Sequence, residues 1–355
     1  MRLPHAPLEH SLKERRFTFG APSTAPSTAF FTIGALCLAG LLAAVPAHGQ
    51  AQDNTALANR KIRLLVPFTP GGSVDGVART IADALQKGSG ASVIVENKPG
   101  AGGNIAANQV AKSGGSDTIS LLVNSINHYV NPLLVRNSGY DAFKDFVPVA
   151  HLGTMPYVFV VPPASKLETL KDFVAAARAE PAKLSWGFGG NGTLGHFLGM
   201  AVEEAGKVRG IPISYRGGPD LLAALGGNHI DMVVMTVQSA APLIRQGRLK
   251  AIAIAGTQRN KVLPQVPAAS EQVPGYQQLN GYAFMLAPAS TPDALLLQIH
   301  REANLAVRSE AFAKRLDSDG GTVMSFATPA ETKAWFDQDG AVWEALTRRA
   351  GLKVE

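Results

Sequence analysis

The sequence predicts an α/β fold of two lobes, each built on a parallel-rich sheet, with a ligand cleft between them. Three observations predict it. Short unbroken apolar runs alternate with segments of helical period through most of residues 60–260, the pattern of strands buried on both faces and joined by covering helices. Glycine-rich turns follow several of those runs and open the next helix. The length of 355 residues, 46% of them hydrophobic and 17% charged, suits two domains better than one very large sheet.

The N-terminus departs from this pattern. Arg2, Lys13, Arg15 and Arg16 precede an uncharged apolar run over 29–45, and Ala47, His48 and Gly49 end it. A basic start, an apolar stretch and small residues read as a secretory signal peptide over residues 1–49, cleaved after Gly49 or Ala51. The alternative is a membrane anchor, for which a run of 17 residues broken by Gly34 and Gly40 is short. Arg15 and Arg16 suggest twin-arginine export, but Thr18 stands where a hydrophobic residue is expected, which favours the general secretory route.

The single cysteine, Cys37, lies inside that run behind Leu36, too large for a lipoprotein site. A mature chain without it has no disulfide, thiolate nucleophile or cysteine metal site. Removal of four basic and two acidic side chains with the leader lowers the formal charge from +6 to +4. No basic run or basic–aromatic interleaving points to nucleic acid.

After a polar linker over 50–59, strands are expected at 62–66, 93–95 and 119–123, with helices at 74–85 and 105–111 between them. The series resumes with strands at 157–161, 184–188, 211–215, 230–235 and 249–255, and helices at 170–179, 194–204, 220–225 and 240–246. A loop rich in Pro, Gln and Gly over 263–281 precedes one more strand, 282–287, and the remainder is helical, ending in a helix over 329–350. Crossings near 151–157 and 280–284 divide the chain into lobe 1, residues 60–156 plus 282–355, and lobe 2, residues 157–281. The cleft then lies at the carboxyl ends of the strands.

Residues 68–75, Phe-Thr-Pro-Gly-Gly-Ser-Val-Asp, follow a strand and open a helix. The amides of Gly71, Gly72 and Ser73 at the positive end of the helix dipole would favour an anion such as a carboxylate. The same residues also read as a turn in which Ser73 caps the helix and Asp75 complements its dipole, with Arg79 pairing to Asp75 one turn on. The glycines at 100, 102 and 103 could approach a ligand or permit tight packing between lobes. No Gly-Lys-Ser or Gly-Lys-Thr follows, so this is not a P-loop.

A third turn, Gly187-Phe188-Gly189-Gly190-Asn191-Gly192, meets the spacing of a dinucleotide fingerprint. The next strand ends Ser214-Tyr215-Arg216 rather than in an acid, so the alternative it offers is an NADP-dependent oxidoreductase. It also reads as a second anion-facing helix start, with Thr193 as cap or hydroxyl donor and His196 facing either the cleft or the core. Asn127, in the polar tip 125–128, and residues 236–239 after the strand at 230–235 stand at natural cleft positions. No Gly-x-Ser-x-Gly elbow or paired metal-binding histidines occur, since the histidines at 128, 151, 196 and 229 are dispersed.

These segments recur together in one family. The runs 66–72 (Val-Pro-Phe-Thr-Pro-Gly-Gly), Asp75 with Ala78 and Arg79, 95–103 (Val-Glu-Asn-Lys-Pro-Gly-Ala-Gly-Gly), Asn131-Pro132, 145–149 (Asp-Phe-Val-Pro-Val), Gly192 and Thr193 with His196, and Pro267 with Glu271 and Pro274-Gly275-Tyr276 resemble the Bug family, extracytoplasmic solute receptors of tripartite tricarboxylate transporters. The likeness covers residues 60–355. It implies a type 2, Venus-flytrap periplasmic binding protein, not an enzyme and without a cofactor or metal. It further implies that Phe68, Thr69, Gly71, Gly72, Ser73 and Asn127 in lobe 1, and Gly192, Thr193 and Gln238 in lobe 2, hold a small carboxylate through backbone amides and bridging waters. The implied partners are that solute and the membrane permease subunits, with the receptor a monomer; an orphan ligand sensor without its own permease is the alternative. The chain departs from the family pattern at Ser116-Asp117-Thr118, at Arg216 between Tyr215 and Gly217, and at Ser270.

Overall fold

A computed structural model describes residues 57–114 and 118–352. The expected signal peptide over 1–49 and the departure at Ser116 and Asp117 lie outside the described residues.

The first sheet begins with β1 (Lys61–Val66), which leads into α1 (Ser73–Ser89) and returns as β2 (Ser92–Asn97). Val74, Val77, Ala78, Ile81 and Leu85 are buried at helical spacing, so α1 lays one apolar face on the sheet, and Gly90 in the left-handed region ends it. A 3-10 turn (Ala101–Gly103), α2 (Asn104–Ala111), β3 (Thr118–Asn124) and α3 (Asn127–Leu134) follow. Then comes β4 (Phe146–Thr154). Neither α3 nor β4 was expected as an element.

The chain crosses at Met155 and Pro156 into a second sheet. Its elements are β5 (Tyr157–Val161), α4 (Leu170–Ala179), β6 (Ser185–Phe188), α5 (Leu194–Gly206), β7 (Ile211–Ser214), α6 (Gly218–Gly226), β8 (Met232–Thr236), α7 (Val237–Arg245) and β9 (Lys250–Ile254). A short α8 (Ala269–Gln272) interrupts the return. Then β10 (Tyr282–Pro288), α9 (Asp293–Val307), α10 (Glu310–Ser318) and α11 (Pro329–Ala350) complete the first half. In α11 a capping box between Thr328 and Glu331 and Pro329 in the first turn set the start.

The two sheets share one plan. The first runs β2-β1-β3-β10-β4 and the second β7-β6-β8-β5-β9. In each, the strand fourth in order is antiparallel to its neighbours and the remaining four run one way. The antiparallel strands β10 and β5 are the ones entered from the crossings. At that junction the Met155 N–H donates to the Gly281 carbonyl at 2.6 Å.

One face of the first sheet packs on α1, α9 and α10 around Leu64, Ile81, Val123, Ile299 and Phe312. The outer face of the second packs on α6 and α7 around Leu225, Val233 and Ala240. The largest cluster is continuous between the sheets, joining Leu122, Tyr129, Phe284 and Phe336 to Phe159, Trp186 and Phe197. The Phe197 and Trp343 rings meet edge to face at 5.3 Å, which seats α11 of the first half against α5 of the second.

Candidate ligand cleft

The loop between β1 and α1 is braced from within by a buried carboxylate. Asp75, only 2% exposed, accepts the Gly71 N–H at 2.9 Å and Arg79 Nε at 3.0 Å on Oδ2, and Asn97 Nδ2 at 2.9 Å on Oδ1. Asn97 Nδ2 also donates to the Phe68 carbonyl at 3.0 Å, tying the start of the loop to the same group. Burial pushes the Asp75 carboxyl up, but the hydrogen bonds from Arg79, Gly71 and Asn97 outweigh it and hold the pKa below the usual 3.8. The Asp75–Arg79 pair expected from spacing is present.

This brace commits one amide of the loop to the protein itself. Gly71 is held at φ +82°, a conformation that disfavours a side chain, and its N–H is spent on Asp75. Gly72 is the N-cap in extended conformation and Ser73 the first helical residue, so Ser73 does not cap the helix. Among the described residues, the first bond of the helix runs from the Gly76 N–H to the Gly72 carbonyl at 2.9 Å, so the N–H groups of Gly72, Ser73, Val74 and Asp75 are left without a helical partner, as the first turn of a helix leaves them. Of the three amides read in the sequence, that of Gly71 is taken by Asp75, and those of Gly72 and Ser73 remain.

Ser73 also reaches the other half of the molecule. Its hydroxyl contacts Thr236 Oγ1 at 2.5 Å, and Thr236 Oγ1 donates to Ser239 Oγ at 3.1 Å. Ser73, Thr236 and Gln238 line a small cavity with the crossing residues Thr154, Met155 and Pro156. The Gln238 amide lies across α1, with Nε2 2.9 Å from where a β-carbon on Gly76 would stand. Thr69 faces Gly217 across the cleft, its Oγ1 3.1 Å from the corresponding position there.

Asn127, 3% exposed, opens α3 and accepts from Ser125 Oγ at 3.3 Å. Gly192, at φ +69°, rests directly on α3: a β-carbon there would stand 2.7 Å from Val130 and 2.9 Å from Leu134. Its N–H donates to His196 Nδ1 at 3.3 Å, and the Thr193 hydroxyl donates to the Gly190 carbonyl at 2.8 Å. The turn with dinucleotide spacing is thus filled by its own hydrogen bonds and by α3. His196 stacks on Phe188 at 4.2 Å, and burial lowers its pKa to about 4, so it is neutral.

The structure brings Ser73 and Gln238 into one cavity and sets Thr69 beside the second half, while Gly192 and Thr193 serve the packing of the lobes. The 97–104 glycines pack within the first half rather than between lobes. A β-carbon on Gly103 would stand 3.0 Å from Pro67, and the Gly102 carbonyl accepts Asn131 Nδ2 at 2.5 Å. His128 is buried in an aromatic cluster rather than exposed at a tip, with Nε2 2.9 Å from the Ala142 carbonyl and a pKa lowered to about 4 by burial. Thr236 stands at a cleft position as its place at a strand end predicts, whereas the part Asn97 plays in bracing the loop is not read from the sequence, where only its place at the end of a strand marks it.

The cations bordering this region are paired: Arg79 with Asp75, Lys98 with Glu96 at 2.8 Å, and Arg216 with Asp220 at 2.8 Å. Charge on a ligand would therefore meet dipoles first. Among the described residues no group of His, Cys, Asp or Glu could hold a metal, and no helix is long and apolar enough to cross a membrane.

The profile of the tripartite tricarboxylate transporter family receptor matches residues 77–352. The chain belongs to the Bug family. Among curated relatives of this Bug receptor, the protein BugT of Bordetella pertussis (strain Tohama I) is 31% identical over 303 residues, spanning 83% of this chain and 91% of that one. The solved periplasmic binding protein BugD superposes with a TM-score of 0.76 at 27% identity, covering 83% of this chain and 99% of its own. Rpa4515 of R. palustris, solved with adipate, gives 0.77 at 26% identity with the same coverage. The fold is that of a two-lobe periplasmic binding protein and the protein is a solute-binding receptor.

Proposed function

We propose that this Bug receptor is exported to the periplasm with loss of residues 1–49. There it captures a small carboxylate between lobe 1 (60–156 and 282–355) and lobe 2 (157–281), and delivers it to the membrane permease of a tripartite transporter. The observation that carries this reading is the set of N–H groups left without a helical partner at the start of α1, on a loop braced by Asp75. A preformed set of donors at a helix start binds an anion without an ordering cost when the ligand arrives. Around Ser73 the cavity also carries Thr154, Thr236, Gln238 and Asp319, and its hydroxyl and amide groups orient a ligand directly or through water.

The adipate found with Rpa4515 supports the same chemical class here. Ligand contacts made to both lobes favour the closed arrangement, so capture and closure are one equilibrium. Thermal-shift screening of the processed protein against short mono- and dicarboxylates, followed by calorimetry of each hit, tests the reading. Stabilisation by at least one carboxylate is expected, and a response confined to cations, sugars or nucleotides would refute it. N-terminal sequencing of protein recovered from the periplasm tests the cleavage at Gly49 or Ala51.

A further inference from the structure

We infer that Ser73 is the residue that couples capture to closure, with its N–H for the ligand and its hydroxyl for Thr236, which acts as a positioning residue from the other lobe. This inference rests on the receptor reading for the ligand and on the structure for the latch. Ser73 stands at the start of α1 and Thr236 at the end of β8, 163 positions apart, yet their hydroxyl oxygens lie 2.5 Å from each other. Thr236 Oγ1 in turn donates to Ser239 Oγ at 3.1 Å. The Ser73 hydroxyl therefore donates to Thr236, and the three hydroxyls form a chain in which each bond polarises the next. Thr236 is 8% exposed, so the middle of the chain is largely shielded from water.

The direction of the hydroxyl has a consequence for the ligand. With Oγ turned to lobe 2, Ser73 presents its N–H beside those of Gly72 and Val74, all on one helix start. Opening the lobes breaks the chain and frees the Ser73 side chain to swing over those amides. Closure by Thr236 thus orients the cradle, and an anion already on the cradle favours the serine rotamer that Thr236 accepts.

The test needs no ligand. Cys37 is the only cysteine in the chain and lies in the leader, so the processed double variant Ser73→Cys/Thr236→Cys carries just the two introduced thiols. Hydroxyls in contact bring their β-carbons near the separation that a disulfide spans, about 4 Å. Mild oxidation is expected to consume both thiols and to leave a compact particle in small-angle scattering. A folded double variant that keeps both thiols free would overturn the inference.

In parallel, Thr236→Val is expected to lower the closed-to-open ratio about three- to tenfold, the range of one hydrogen bond. Thr236→Ser restores the ratio, and the melting temperature of Thr236→Val stays near that of the parent. An unchanged ratio in Thr236→Val, or no rescue by serine, also overturns it. Absence of any carboxylate ligand would instead refute the receptor reading and leave the latch standing.

Discussion

The carboxylate of Asp75 reaches back one turn to accept the N–H of Gly71 at 2.9 Å, from a side chain almost wholly out of solvent. That bond turns a flexible glycine pair into a defined lip. One carboxylate holds the loop from below through Gly71, from the side through Asn97 and along the helix through Arg79.

Replacing Asp75 with alanine removes the acceptor of the Gly71 N–H and one of the two acceptors of the Asn97 amide, at donors that are partly open to water. A loss of about 1 to 3 kcal/mol is expected, from the lost hydrogen bonds and an ion pair whose arginine is half exposed. Denaturant unfolding measures it. Because the folded pKa of Asp75 lies below 3.8, its contribution is complete above about pH 4 and is lost as pH falls through the folded pKa. The parent therefore loses stability on acidification below pH 4 more steeply than Asp75→Ala does.

The two glycines of the lip separate by conformation. Gly71 lies at φ +82°, so Gly71→Val forces a β-branched residue into the left-handed region at a cost of about 1 to 3 kcal/mol. Gly72 is at φ −75° with only ordinary contact awaiting a β-carbon. Gly72→Ala is expected to keep the parent melting temperature within a degree or two while weakening carboxylate binding at least about tenfold, roughly 1.4 kcal/mol. Paired melting curves and calorimetry check both.

Gly192→Ala drives a methyl group into Val130 and Leu134. Overpacking of this kind costs about 1 to 3 kcal/mol, and here the strain falls on the contact between lobes. A larger radius of gyration and weaker ligand binding are expected together, whereas equal compactness in scattering would count against this packing.

Asp339 on α11 accepts the Tyr282 hydroxyl, which accepts Trp343 Nε1 at 2.6 Å. Burial raises the Asp339 carboxyl to about 6, against the lowering effect of Tyr282. Between about pH 4 and pH 6 the folded protein holds a proton that the unfolded chain has released, so stability falls as pH rises through that window and levels above it. Asp339→Asn keeps an acceptor for Tyr282 and removes the charge. It is expected to flatten this slope and to add about 1 to 3 kcal/mol at pH 7, read from melting temperature against pH.

Much of this architecture is legible in the residues because strands buried on both faces and amphipathic helices each carry a period. The helices at 170–179 and 329–350 coincide with their expected bounds. Helix α3 escapes because it is buried on nearly every side and contains Pro132, so no stripe marks it. Strand β4 escapes because Pro148, His151 and Gly153 interrupt its run, and an edge position with β10 as its neighbour tolerates them.

At the site, the glycine turns announce a lip, but their spacing does not say which amides stay free. That depends on Asp75 and Asn97, 22 positions apart, and on Ser73 meeting Thr236. Contacts between distant segments have no local period to betray them.

The most direct test of the central claim is calorimetric titration of the processed protein and its Gly72→Ala variant with the best carboxylate from a screen. Binding with a Kd of roughly 1 μM or tighter in the parent, falling at least about tenfold in a variant of equal melting temperature, is the predicted result. Undiminished affinity in Gly72→Ala, or no carboxylate bound by the parent, would contradict it.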